Sequence, residues 1–591
     1  MCGILGVRRS FCSDPARIRA AMAALAWRGR DDARLVTVGA WSLGVARLAI
    51  SDLESPQPVI DPEQGTVAAL NGFVATWTAD RARFASAMRS ENDAELILHR
   101  FEADGPRSLA NLEGHHALAR IDPRSQEVWL GVDRFGEKPL YAVEQDGGLV
   151  AFASTLGALE ALGVRFTPCE DALARTLTFG FGARVVCRDP RQRLHDDLRG
   201  LWCARDRGAL RREDSAPTAT PHDTRDLAAE LREATTRCAT AVVDVALALS
   251  GGIDSAVLGV ALRDAGFAPA AYQAAFLGTD RSERARARTV AESLGLAFRT
   301  VDLGVRVLDE LPNLARNASV PLSDPSILAV HALAHAVAAD GARVLLSGEG
   351  ADELLLGYPR HRAAASLRFR RRLPEFLARP ILRRSRKMTR TWRWLRAAAS
   401  DCPGDRLLEI STPRWRQELG VRVALDLPSR GAGKADVSDS PWESLRHLEL
   451  EHYLRLDLLP KVDVATLSAQ VEARAPFLDA RLAQHLLAIP ASAVFGKRPL
   501  RDAYAARLPR GHFTQRKRGF AVPIDRLWRE HDLLADILTD RRTLEREELD
   551  RAQLRRTIDE QRGGSGHAAH PLYALAAFEL WRRAREEHNS P

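Results

Sequence analysis

Across the first 160 residues, apolar and polar positions alternate in short runs. The segments SLGVARLAI, GTVAALNGFV, HHALARI, EVWLGVDR, PLYAV and LVAFAS are set apart by the turn-forming pieces DPRSQ, FGEK and EQDGG. A two-residue period interrupted by Gly, Pro, Asp and Ser is the pattern of half-buried strands joined by tight turns. It predicts an antiparallel meander, with amphipathic helices over residues 14–25 and 93–102. From about Arg191 the chain turns polar and rich in Arg and Asp. There DRGALRREDSAPTATPHDTRD, with its Pro, Ser and Thr, reads as a linker.

From about Asp223 the pattern changes. A helix over residues 227–239 leads into VVDVALAL, an unbroken apolar run of the kind that forms a strand buried on both faces. SGGIDSAVLGVALRDAG, AAYQAAFLG and ARVLLSGEGADELLLGY follow as strand–loop–helix units, which predict an α/β domain with a parallel sheet. Beyond Ser440 the chain reads mostly helical, and it carries no solenoid-type repeat. The expected organisation is a domain over residues 1–200, a linker over 201–225 and a second domain over 226–591.

Composition changes this picture little. A chain of 591 residues exceeds what one core organises, in line with the division. The formal charge of +8 suits a polyanionic ligand such as ATP or nucleic acid, but over this length it is a weak signal. The densest basic stretch, residues 360–396 of an insert running to about 440, includes Trp392 and Trp394. It reads either as a nucleic-acid contact or as a solvated helical insert. The second is the expectation, so nucleic acid is not an expected partner. The seven cysteines (Cys2, Cys12, Cys169, Cys187, Cys203, Cys238 and Cys402) lack CxxC spacing. That argues against a zinc site or a disulfide scaffold and fits a reducing cytoplasm. No signal peptide is legible, and no apolar run reaches about 18 residues, so no membrane span is expected.

The strongest local chemistry lies in LALSGGIDSA, residues 247–256. Two glycines after a buried strand let the backbone turn and offer N–H groups to phosphate oxygens, and the following helix adds its positive end. Ser250 and Ser255 can donate hydroxyls. Asp254 is repelled by phosphate directly but suits Mg²⁺ bound to it. SGEGADE, residues 347–353, also follows an apolar strand-like run. Loops at the carboxyl ends of parallel strands converge on one crevice, so Asp254 and Asp352 are expected to face each other across a metal-bound triphosphate.

These residues carry a family resemblance. SGGIDS resembles the pyrophosphatase-type ATP loop of synthetases that adenylate a substrate and release pyrophosphate. LSGEGADELLLGY, LLPKVDVATLSAQVEARAPFLD and QRKRGFAVPI resemble the glutamine-hydrolysing asparagine synthetases; MCGILG, RLAISD, NGF and FGEKPLY resemble that family's glutaminase half. The likeness runs along nearly the whole chain, least over residues 360–440. It implies an α+β N-terminal αββα sandwich of the N-terminal-nucleophile type. An α/β parallel-sheet ATP-pyrophosphatase domain with a helical C-terminal part would follow, joined to the first by an ammonia tunnel.

Carried over by position, the resemblance has Arg47 hold the glutamine α-carboxylate and Asp93 its α-amino group. Asn71 and the Gly72 amide would stabilise the oxyanion. Leu249, Ser250, Gly251, Gly252, Asp254, Ser255, Ser347 and Gly348 would form the ATP site, with Asp254 and Asp352 on Mg²⁺. Glu349 would lie near the activated carboxyl group, and Lys497 would neutralise charge building up on the phosphates or the tetrahedral intermediate. Removal of Met1 would leave Cys2 as the nucleophile. An α-amino group titrates at about 8, so its own amine can act as the base for the thiol.

The chain departs from the pattern at Asn71-Gly72-Phe73, where the family usually has Asn-Gly-Glu. One carboxylate that would help bind the glutamine amine is absent there, which predicts weak glutamine binding or use of free ammonia. Trp27 and Arg30 replace a usual His and Pro. The expected reaction is ATP-dependent amidation of a small carboxylic acid, aspartate or a relative, with glutamine or ammonia as nitrogen source. The alternative is an amide ligase or cyclase of specialised metabolism, like those that close β-lactams or lasso peptides. An RNA-binding protein fits the motifs poorly. A homodimer is compatible with the resemblance.

Overall fold

The computed structural model describes residues 2–75, 77–213, 226–276, 281–362, 419, 440–509, 512–514 and 522–589. Nearly all of the basic insert, residues 214–225 of the expected linker and most of QRKRGFAVPI lie outside the described residues.

The first half is built from β1 (Cys2–Arg8), β2 (Asp32–Val38), β3 (Trp41–Arg47), β4 (Val59–Ile60), β5 (Val67–Val74), β6 (Gly114–Asp122) and β7 (Glu127–Val132). These are followed by β8 (Tyr141–Gln145), β9 (Gly148–Ala153), β10 (Phe166–Pro168), β11 (Val185–Cys187), β12 (Gln192–His195), β13 (Gly200–Arg205) and β14 (Arg211–Arg212). They form two large antiparallel sheets, ordered β12-β8-β9-β1-β3-β2 and β14-β13-β7-β6-β5-β4. The expected meander holds locally in the β2–β3, β6–β7 and β8–β9 pairs. Globally, β1 is inserted between β3 and β9.

The apolar faces of the sheets meet in one core, where Ile4, Leu43 and Val45 oppose Val67, Ala119 and Leu130. Helix Pro15–Ala23 covers the outer face of the first sheet through Ile18 and Ala21, and helix Asp93–Asp104 covers the second through Ala94, Ile97 and Leu98. This is the αββα sandwich. The polar stretch after Arg191 supplies β12 to the first sheet and β13 and β14 to the second, so strands stand within the expected linker; their short alternation is masked by charge.

Helix Leu227–Ala239 falls where its apolar spacing predicts, capped by Asp226. The second sheet system comprises β15 (Val245–Ala248), β16 (Ala270–Phe276), β17 (Phe298–Leu303), β18 (Val344–Leu346) and β19 (Glu472–Arg474). All pairs are parallel, in the order β17-β16-β15-β18-β19. The chain leaves β15 toward one edge and returns at β18 on the other side. This is the switch point at which open parallel sheets hold ligands. Helices dominate beyond residue 440, ending in Ala569–Asn589. Among the described residues no helix is long and apolar enough to cross a membrane.

The halves are locked together by buried polar contacts. Arg28 makes two parallel hydrogen bonds to Asp463 at 2.7 and 3.0 Å, with both side chains almost wholly buried. Gln470 donates to the Trp27 carbonyl at 2.7 Å. Bidentate geometry of this kind offsets much of the cost of desolvating an ion pair.

Candidate active site

Strand register builds the first pocket. On β1 and β3, Cys2 lies directly opposite Arg47. From the other sheet, β5 brings Asn71, whose Oδ1 accepts a 3.0 Å hydrogen bond from the Cys2 amide. Asn71 is fully buried, and its Nδ2 is left without a hydrogen-bond partner. Gly72 follows with φ 125°, and a Cβ there would sit 2.0 Å from the His115 carbonyl oxygen. No other residue fits this close approach of β5 to β6.

Asp93 opens a helix capped by Asn92, so its carboxylate is fixed at the end of β5, where Oδ2 accepts from the Val74 amide at 3.2 Å. Its Oδ1 is buried with no hydrogen-bond partner. Burial pushes Asp93 up to about 7, against the opposing pull of the Val74 N–H and of Arg474. Arg47 is held by the loop after β3, where it donates to the Asp52 carbonyl oxygen. Burial would raise Asp52, yet hydrogen bonds from Ser55 and Glu54 and the Arg47 charge hold it below its ordinary range.

Several residues here were not singled out from the sequence. Gln57 accepts from the Leu70 amide at 2.8 Å and sets its Nε2 4.0 Å from the Cys2 sulfur. Arg28 donates to the Cys2 carbonyl at 3.3 Å. Glu472 and Arg474, from β19 of the second half, line the same pocket as Cys2, Arg47 and Asp93. Both lie in the VEARAPFLD stretch that carries the resemblance, but no local signal ties it to Cys2, 470 residues away in sequence.

The second constellation forms at the switch point. Leu249 is buried and hydrogen-bonded to the Tyr272 carbonyl at 2.8 Å. Ser250, Gly251 and Gly252 turn the chain into helix Ile253–Asp264. The Ser250 and Ser255 hydroxyls pair at 3.1 Å, and Ser250 Oγ accepts from the Gly252 amide at 3.3 Å. Next to this loop, Gly348 packs so closely that a Cβ would lie 2.8 Å from the Cβ of Asp254. Asp254 and Asp352 therefore do converge, as their loops predict.

Between them stands Lys497, whose Nζ lies 2.6 Å from both Asp254 oxygens and from Asp352 Oδ1. All three side chains are buried. A point that already holds a cation between two carboxylates is one that Mg²⁺ with phosphate oxygens can also occupy, since that ion takes one or two protein carboxylates. Among the described residues no group of three or more His, Cys, Asp or Glu forms a metal cluster.

Glu349 and Ser347 line a second cavity together with Glu137, Lys138, Asp463 and Arg474. The Ser347 hydroxyl is buried without a hydrogen-bond partner. Burial and the nearby Asp133 charge push Glu137 well above the ordinary carboxylate range. Burial, with Asp352 beside it, raises Glu353 to about 8. Arg474 belongs to the walls of both cavities, so the space beside Cys2 and the space beside Glu349 adjoin.

The family model described as asparagine synthase matches residues 226–583, and the glutamine amidotransferase domain model matches residues 1–203. A putative glutamine-hydrolyzing asparagine synthetase of Mycobacterium tuberculosis is 26% identical over 562 residues, covering 86% of this chain and 82% of its own. Asparagine synthetase 1 (glutamine-hydrolyzing) of Bacillus subtilis is 25% identical over 517 residues, covering 83% and 81%. A Gibberella zeae protein named amidase chry2 is 28% identical over 362 residues, covering 54% and 52%. With a family model matching more than half of its length, the chain belongs to the asparagine synthase family and is an enzyme of that type, carrying a glutamine amidotransferase domain at its amino-terminal end.

Proposed function

We propose that this enzyme hydrolyses glutamine at Cys2 and uses the ammonia to amidate a carboxylic acid, aspartate or a close relative, through an acyl-adenylate. One observation carries the reading: the Cys2 pocket and the Glu349 cavity have Arg474 in both their linings. Ammonia released at Cys2 then has a short buried path to an activated acid.

In the first step the Cys2 thiolate attacks the glutamine side-chain amide, with the terminal amine freed by loss of Met1 as base. Asn71 Nδ2 and the Gly72 N–H receive the oxyanion, a contribution of about 3 kcal/mol per well-placed donor. Arg47 and Asp93 hold the α-carboxylate and α-ammonium groups. Water then releases glutamate from the thioester.

In the second step the substrate carboxylate attacks the α-phosphate of ATP, giving an acyl-adenylate and pyrophosphate, and ammonia displaces AMP. Ser250, Gly251, Gly252 and Ser255 surround the phosphates with backbone and hydroxyl donors, with Leu249 at the entry to the loop, and Ser347 and Gly348 close the other side. Asp254 and Asp352 would hold Mg²⁺, which when bound stabilises charge on the pyrophosphate oxygens. Lys497, released from the two carboxylates, would turn its ammonium to the phosphates or the tetrahedral intermediate. Glu349 faces the space in which the acyl group would lie.

The test is a pyrophosphate-release screen over candidate carboxylic acids, run with glutamine and again with ammonium. An acid that triggers release with both nitrogen sources supports the reading; release that never depends on an added acid refutes it.

A further inference from the structure

The sequence lacks a carboxylate after Gly72, yet the pocket does not lack the charge. Phe73 points into the interface between the halves, where it joins the core of the parallel-sheet domain. Its ring meets His115 edge-on at 4.4 Å and lies 4.3 Å below the Arg474 guanidinium. Arg474 in turn donates to Glu472 at 2.7 Å and to the carbonyls of Cys238 and Thr240 at 2.9 and 2.8 Å. The apolar residue at 73 thus makes the seat on which the second half delivers its own carboxylate.

We infer that Glu472, contributed by the synthetase half, is a specificity-determining residue of the glutamine pocket, its carboxylate receiving the substrate α-ammonium group together with that of Asp93. The inference rests on the glutamine reading proposed above. Three observations carry it. Glu472 and Asp93 line one pocket with Cys2, Arg47 and Arg474, so carboxylates and guanidinium groups face one space, as the two charged ends of an α-amino acid require. Asp93 Oδ1 is buried in that pocket with no hydrogen-bond partner, so a donor is missing there. Glu472 is also fixed in its ionised form. Burial alone would raise it, but the Arg474 charge and the His115 hydrogen bond hold it well below the ordinary range. His115 itself is pushed down to about 3 by burial and by Lys138, so the neutral ring donates from Nε2 to Glu472 Oε1 at 2.9 Å.

The same strand ties this carboxylate to the ATP loop. β19 pairs with β18, and the Ser347 amide donates to the Arg474 carbonyl at 3.0 Å. Glutamine is therefore read partly by the domain that consumes its nitrogen.

The test compares glutamine with 4-carbamoylbutanoate, which lacks only the α-amino group, in full-length wild type, E472Q and E472D. E472Q is expected to raise KM for glutamine roughly tenfold, the usual loss of a charge-assisted hydrogen bond, and to leave kcat within about twofold. Its kcat/KM for 4-carbamoylbutanoate should stay near wild type, narrowing the preference for glutamine. E472D, which keeps the charge, should return part of the lost affinity, and it carries the comparison where E472Q does not fold. An equal loss for both substrates, the mark of a scaffold role, or an unchanged glutamine KM overturns the inference. A wild type that hydrolyses no glutamine while amidating with ammonium overturns the glutamine reading itself.

Discussion

The pocket at Cys2 and the crevice at Asp254 are assembled by opposite means. At Cys2 the backbone does the placing: register sets Cys2 against Arg47, and Asn71 receives the Cys2 amide. Two polar atoms, Asn71 Nδ2 and Asp93 Oδ1, are left buried without a hydrogen-bond partner. At Asp254 the side chains satisfy one another, with the Lys497 ammonium between two carboxylates. The first site is preorganised, with the cost of its orphan groups already met by the fold, and a ligand completes it. The second is self-neutralised, and on the proposed reading ATP and Mg²⁺ would take the place of the Lys497 ammonium between the carboxylates. A preformed site binds with little motion, whereas a self-neutralised one stays closed to chemistry until the charged substrate arrives.

Four experiments break or sharpen that contrast. The largest effect is expected from Cys2→Ala, which should bring glutamine-dependent amidation to background while ammonium-dependent turnover persists; coupled AMP and glutamate assays read both. Lys497→Met should stop pyrophosphate release with either nitrogen source. It also leaves two buried carboxylates face to face, a loss of the order of 3–5 kcal/mol, so the melting temperature should fall and recover when Mg²⁺ is added. No recovery would mean that the carboxylate pair does not accept the ion. Asn71→Ala should lower kcat for glutamine hydrolysis by about 10²–10³-fold, leaving pyrophosphate release with ammonium near wild type.

The smallest effect is a pH dependence. Asp93, raised to about 7, is mostly protonated at pH 6 and mostly ionised at pH 8. Only the ionised form attracts an α-ammonium group, so glutamine binding should weaken as pH falls. Calorimetry on the unreactive Cys2→Ala protein should find the dissociation constant rising roughly tenfold from pH 8 to pH 6, the change in ionised fraction for a group titrating near 7. Asp93→Asn should bind weakly and without this slope.

Much of the molecule was legible in the chain. The alternation in HHALARI and EVWLGVDR gave β6 and β7, the apolar run VVDVALAL gave β15, and the glycines of SGGIDS marked the turn after it. These are local signals, in which the residues that cause the structure are its neighbours. Strand β12 was obscured because an edge strand carries charge on its solvent side, and β13 because it lies in a run rich in Arg and Asp; both blur the two-residue period. The Arg28–Asp463 pair spans 435 residues, and the seat of Arg474 on Phe73 joins β5 to β19; no window of sequence contains either.

Strand period, turn residues and short motifs act within a few positions, so the chain alone laid down the two sheet systems, the order of the halves and the groups here proposed to carry chemistry. Only the tertiary structure decided how those groups are charged and which half supplies them. Lys497 neutralises Asp254 and Asp352 because burial makes bare carboxylates costly. Glu472 enters the pocket at Cys2 because β19 pairs with β18, and Arg474 and His115 hold its carboxylate there.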